Sequence, residues 1–260
     1  MKHFVTTLFT LTFVLAFTLG CKKSSNDEPA PDNSTTTLQN RIEKKWDVST
    51  PPAGRVAAGS EAYTSFEFTD EGKYFIIKAD KSQLKGSFTL TVGDSILTLD
   101  GLGKIYIDDI TETQIIFRLV LTGTTDEINV NAAPATPISI SQNTKKLLNS
   151  WSYKSRKVNG TPDATINDAF SSGNYYLYAT FTNYGTYSIE TNAPGTASKV
   201  GIWKWCNTEQ TSFGTSNDPD VQPTCVGMNA SSVSFNSDGN LVLTATINGN
   251  VQEDTYVTKP

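Results

Sequence analysis

"FTDEGKY", Phe68 to Tyr74, and "FTNYGTY", Phe181 to Tyr187, carry phenylalanine, threonine, glycine and tyrosine in one register. In each, alternating residues lead in and polar residues with a glycine able to take positive φ make the turn. A tyrosine then opens the return strand, which is the pattern of a β-hairpin. "FNSDGNL", Phe235 to Leu241, repeats the chemistry near the C-terminus. Its Asp238-Gly239 is read as a turn and not a calcium loop, because Ser234 and Asn236 supply too few carboxylates.

The surroundings of the first two turns also match. Upstream, an apolar residue stands four places before a tryptophan: Ile42 and Trp46 in "IEKKW", Leu147 and Trp151 in "LLNSW". Downstream, a strand-like run begins with glycine: "GSFTLTV" from Gly86 and "GIWKWC" from Gly201. The same order of signals twice predicts two domains. In "TSFEF", "SFTLTV" and "NLVLTATI", apolar or small residues alternate with polar ones, so each strand buries one face. Short strands at roughly 8 to 12 residue spacing, punctuated by Gly, Asp and Asn, predict antiparallel barrels or sandwiches. Helix is expected only as one turn before Trp46 and one before Trp151. The proline and small residues of "NAAPATPISISQNT" from Asn131 mark a linker. The expected organisation is a β domain over 38–132, a linker over 133–144 and a second β domain over 145–260. Each half should bury its own core around its tryptophan and fold when separated.

A tryptophan on the first strand, an F-T-x-x-G-x-Y hairpin and a meander that ends the sheet together resemble the lipocalin-like domains of bacterial lipoproteins. The resemblance covers about 200 residues. It implies two small up-and-down barrels in tandem, with binding rather than catalysis as their role.

The N-terminus reads as an address. Lys2 precedes an apolar stretch, Phe4 to Leu19, that is softened by threonines and closed by Gly20, the layout of a signal peptide over 1–20. It is shorter than the roughly 20 apolar residues a membrane-spanning helix needs. Gly20-Cys21 resembles the lipobox of bacterial lipoproteins, which implies cleavage before Cys21 and lipidation of that residue. Lys22 after it implies sorting to the outer membrane. Residues 21–37, with Pro29 and Pro31 and little hydrophobicity, read as a disordered tether.

Removing residues 1–20 takes Lys2 from the 21 basic residues, leaving 20 against 26 acidic, a net charge of −6. A mildly acidic chain without a basic stripe argues against nucleic acid as a partner. Cys206 and Cys225 are an even pair in a chain read as exported, so a disulfide is expected between them.

The only histidine, His3, leaves with the signal peptide. Ser-His-Asp and Cys-His catalysis are thereby excluded, and the commonest zinc ligand is absent. No catalytic residue, metal ligand or cofactor is assigned. Asp108 and Asp109 are neighbours on a strand-like run and point to opposite faces. "SQLK", Ser82 to Lys85, has the serine-lysine spacing of penicillin-recognising enzymes without its companion motifs. "GLGK", Gly101 to Lys104, is too short for a phosphate loop. Aromatics remain: Trp203 with Trp205, and Tyr176 with Tyr178, each pair sharing a strand face, are the candidate ligand-binding residues. The expected function is a non-enzymatic, lipid-anchored binding module for an apolar or carbohydrate ligand or a partner protein. A scaffold with filled barrels and a histidine-free carboxylate enzyme such as a glycosidase are the alternatives.

Overall fold

The computed structural model describes residues 35–49, 62–91, 93, 95–227 and 230–259. The stretch read as a signal peptide, Cys21 and nearly all of the stretch read as a tether lie outside the described residues. Among them, no helix is long and apolar enough to cross a membrane.

The chain forms two closed, eight-stranded antiparallel barrels in tandem. The first follows helix α1 (Thr35–Ile42). It comprises β1 (Lys45–Val48), β2 (Tyr63–Phe68), β3 (Lys73–Lys78), β4 (Gln83–Thr91), β5 (Ile96–Leu99), β6 (Gly103–Ile110), β7 (Ile115–Leu121) and β8 (Glu127–Pro134). Each strand pairs with the next, and β8 closes on β1 with Pro134 opposite Trp46. The second follows α2 (Gln142–Leu147). It comprises β9 (Ser150–Val158), β11 (Leu177–Phe181), β12 (Thr186–Thr191), β13 (Lys199–Trp205), β14 (Ser212–Ser216), β15 (Ala230–Phe235), β16 (Leu241–Ile247) and β17 (Asn250–Thr258). A two-residue β10 (Thr161–Pro162) pairs with the end of β9, and β17 closes the barrel on β9. β8 runs to Pro134 because Ala132, Ala133 and Pro134 are needed to pair with β1. The connection between barrels is thus residues 135–141, shorter than the sequence suggests.

The sequence repeat is a structural repeat down to single hydrogen bonds. The Trp46 indole donates to the Ile42 carbonyl and the Trp151 indole to the Leu147 carbonyl, both at 3.0 Å. Each indole adds a donor to a carbonyl at a helix end. In the hairpins, Gly72, Gly185 and Gly239 donate to the carbonyls of Thr69, Thr182 and Asn236. All three glycines have φ between +70° and +79°, a conformation that a Cβ would oppose. The glycines that open the next strands serve the tyrosines. Tyr74 lies opposite Gly86, and Tyr187 opposite Gly201. A Cβ on either glycine would sit 2.6 Å from the tyrosine ring. The small residue therefore lets each ring fold flat across the neighbouring strand.

Two separate cores fill the barrels. Trp46, Phe66, Phe68, Ile76, Leu97, Ile105, Phe117 and Leu119 dominate the first. Trp151, Phe181, Tyr187, Trp203, Phe213 and Leu241 dominate the second. Helix exceeds the expectation: α1 has two turns, and α3 (Ala164–Ser171) is an element the strand signals do not announce. Its signals are an Asp163 N-cap accepting from the Ile166 N–H, and Ile166 and Phe170 at i, i+4 spacing, both packed on the second core.

The barrels also share a seam. On β2 and β3, Phe66, Phe68, Tyr74 and Ile76 point inward, so Ser65, Glu67, Phe75 and Ile77 point out of the barrel, yet all four are buried. On β12 and β13, the outward Thr186, Ser188 and Val200 are buried too. Glu67 accepts from the Thr186 hydroxyl, Glu71 from the Ser150 hydroxyl, and Lys85 Nζ donates to the Ile189 carbonyl at 2.9 Å. Lys81 pairs with Asp218 and Asp220 at 3.2 and 3.3 Å. The outer face of one barrel is thus the cover of the other.

Candidate functional site

A candidate site lies at the rim of that seam, where two strand pairs face each other. From the second barrel come the outward residues of β11 and β12. Tyr178 lies opposite Glu190 and Thr180 opposite Ser188. From the first come Lys73 opposite Ser87 and Phe75 opposite Lys85 on β3 and β4. Asp100, Ser150, Ser198, Lys259 and Tyr176 complete a cleft of about 380 Å³.

Its aromatic element is prearranged. The rings of Tyr176 and Tyr178 stack with centroids 5.2 Å apart and planes 22° apart. Lys259 Nζ stands 3.9 Å from the Tyr178 centroid, within reach of a cation–π attraction. With Tyr178 engaged by both neighbours, the ring most open to a ligand is Tyr176, at 38% exposure. Its backbone is held by Asn192, whose side chain accepts from the Tyr176 N–H, and by the Thr191 hydroxyl, which donates to the Tyr176 carbonyl. A flat, fixed aromatic surface beside hydroxyls and charges suits a ligand with an apolar face and polar edges.

The polar element is lysine-rich. Burial pushes the Lys85 ammonium below its ordinary pKa, with nearby Glu190 opposing and Lys73 adding to the effect. Lys73 donates to the Ser87 hydroxyl at 3.5 Å.

Trp203 and Trp205 do not join this cleft. Both face into the second barrel, where the Trp203 side chain is 2% exposed and its indole donates to the Thr182 carbonyl. Trp205 packs edge-on against it and donates to the Thr144 hydroxyl on α2. The two do share a face, as their alternation indicates, and that face is the core of the second barrel, against which Trp205 is partly buried. Of the four aromatic candidates, Tyr176 and Tyr178 line the cleft described above, and Trp203 and Trp205 do not.

Cys206 and Cys225 form a disulfide. The loop it closes folds back over β14: a Cβ on Gly214 would lie 2.1 Å from the Thr224 carbonyl oxygen. The same loop carries Asp218 and Asp220 to Lys81, and its Asn217 accepts from the Tyr187 hydroxyl. Asp108 is held by Arg118 at 3.2 Å, and Ser82 by Asp80, so neither reads as a reactive group. Gly101 lies in the turn between β5 and β6. No cluster of three or more metal-ligating side chains occurs among the described residues.

A second cleft, of about 390 Å³, opens where the two F-T-x-x-G-x-Y turns face each other, and Glu67 lines it. Glu67 is 2% exposed, and its Oε1 has no hydrogen-bond partner among the described residues. Burial raises its pKa, opposed by hydrogen bonds from Thr182 and Thr186 and by the charge of Lys45, and helped by Asp47.

No protein-family model matches the chain, and no curated protein matches it. Lys73, Lys85, Glu190 and Lys259 join the site without any signal of their own in the sequence. Each is an ordinary surface charge in its own strand or tail, and only the packing of one barrel on the other assembles them.

Proposed function

We propose that this chain is a non-enzymatic binding module that takes a saccharide in the cleft between its barrels. The reading is supported most by the Tyr176–Tyr178 stack, a fixed aromatic surface set among the hydroxyls of Ser87, Thr180, Ser188 and Ser198. A pyranose ring has the matching character, an apolar face of C–H bonds ringed by hydroxyls. An apolar ligand fits poorly, because the cleft carries five charged side chains. Interior binding, the usual role of a lipocalin-like barrel, finds no support in cores packed with large side chains. The module would be exported and tethered to the outer membrane through acylated Cys21, since several acyl chains anchor durably where one does not.

The packed barrels and their seam favour a second reading, a scaffold lipoprotein without ligand. Binding of the full chain to a panel of immobilised oligosaccharides separates the two. The saccharide reading predicts capture that weakens at least tenfold in Tyr176→Ala, while Val251→Ala, a change at an exposed residue distant in sequence from the cleft strands, leaves it unchanged. Capture by no oligosaccharide supports the scaffold.

A further inference from the structure

The cleft contains an imbalance that a neutral sugar would leave in place. Lys73, Lys85 and Lys259 all line it. Among the described residues, none of the three makes an ion pair with a carboxylate. Lys44, Lys81 and Lys157 each lie within 3.3 Å of an acid, and the other described lysines form no ion pair either; what sets Lys73, Lys85 and Lys259 apart is that they converge on one cleft. Lys85 is the most constrained. Its ammonium is drawn into the seam by the Ile189 carbonyl, and Lys73, two strand positions away on the neighbouring strand, repels it. Glu190 and Asp100 line the same cleft and offset part of this charge, but two carboxylates against three ammoniums leave an excess of one positive charge. A partly desolvated ammonium whose charge is only partly offset is unfavourable, and an anion placed beside it relieves that excess.

We propose that the ligand is an acidic saccharide, one bearing a carboxylate or sulfate, with a sugar face on Tyr176 and its anionic group toward Lys73, Lys85 and Lys259. This rests on the saccharide reading above and narrows it. The tyrosine surface supplies the contact common to all sugars, and the lysines supply the preference among them. Hydroxyls of Ser87 and Ser188 line the same cleft as donors to a sulfate or carboxylate. Because the charges sit at the rim of an open cleft, the preference should be sensitive to salt.

The test is isothermal titration calorimetry of the full chain with three tetrasaccharides: a galacturonic-acid oligomer, a sulfated galactan and the neutral galactan. At low ionic strength, one or both acidic probes should bind at least tenfold more tightly than the neutral one, and 0.5 M salt should remove most of the difference. Lys73→Gln with Lys259→Gln should lower acidic affinity about tenfold and neutral affinity by much less, the neutral loss reflecting only the contact of Lys259 with the Tyr178 ring. Neither lysine side chain bonds across the seam, so the fold is not at stake. Lys85, which does, is left intact. Tyr176→Ala should weaken all binding. Equal affinity for acidic and neutral probes, with Tyr176→Ala still weakening both, overturns the acidic preference and leaves the saccharide site standing. Binding of no probe, or binding indifferent to Tyr176→Ala, overturns both.

Discussion

Glu67 shows how one residue ties the two barrels together. It sits on β2 opposite Lys45 and Phe75, faces away from its own core, and is buried because Thr186 of the other barrel lies over it. Tyr184 is close enough for the Glu67 charge to raise its pKa, after burial. A carboxyl whose pKa is raised by burial holds its proton in the folded state to higher pH than in the unfolded chain. Between the unfolded value, about 4.3, and the raised one, the folded state therefore binds more protons. Stability contributed at this position is greatest below that window and falls as pH climbs through it, by about 1.4 kcal/mol for each pH unit the window spans. Glu67→Gln keeps the shape and an acceptor for Thr186 but cannot ionise. Thermal melts from pH 4 to 8 should show the variant more stable than the parent at neutral pH, with the difference shrinking toward pH 4. Parallel profiles would mean that Glu67 is solvated and that the seam does not bury it.

At the scale of elements, each barrel is organised by a helix end, a tryptophan and a hairpin. Truncating Trp46 or Trp151 to alanine removes a fully packed indole and its bond to the helix carbonyl, and should cost roughly 3 to 5 kcal/mol. The sequence alone predicts that Trp46→Ala would spare the second barrel. The seam alters that expectation, since unfolding the first barrel uncovers Val200, Thr186 and Ser188. Scanning calorimetry of Trp46→Ala should show the whole heat absorption move to lower temperature. A high-temperature component that stays in place would mean the barrels are thermally independent.

The hairpins are legible in the sequence because the Thr-x-x-Gly turn and its flanking alternation are local, set by φ preferences and the two-residue period of a strand. The strand pairs Tyr74–Gly86 and Tyr187–Gly201 are half legible: the glycines stand out, but the tyrosine rings that require them are partners across strands. Helix α3 is hidden because it follows a proline-containing turn and buries only one edge. Trp203 and Trp205 mislead for a different reason. Period-two alternation shows that two residues share a face, and it is silent on whether that face is core or cleft.

At the scale of the molecule, both barrels are filled with large side chains, and the two clefts described above lie between them. Phe75 and Lys85 reach the cleft from one barrel and Tyr178 and Glu190 from the other, so the repeat is not mere duplication: its second copy supplies the opposite wall. No local signal encodes that wall, because it depends on residues about 100 positions apart meeting across a seam. Hydrogen–deuterium exchange of the full chain with and without the galacturonic-acid tetramer tests this most directly. The expected result is simultaneous slowing in β3–β4 of the first barrel and β11–β12 of the second, with the interior strands β6–β7 and β15–β16 unchanged. Slowing confined to one barrel, or centred on the strands away from the seam, would contradict a ligand site built from both.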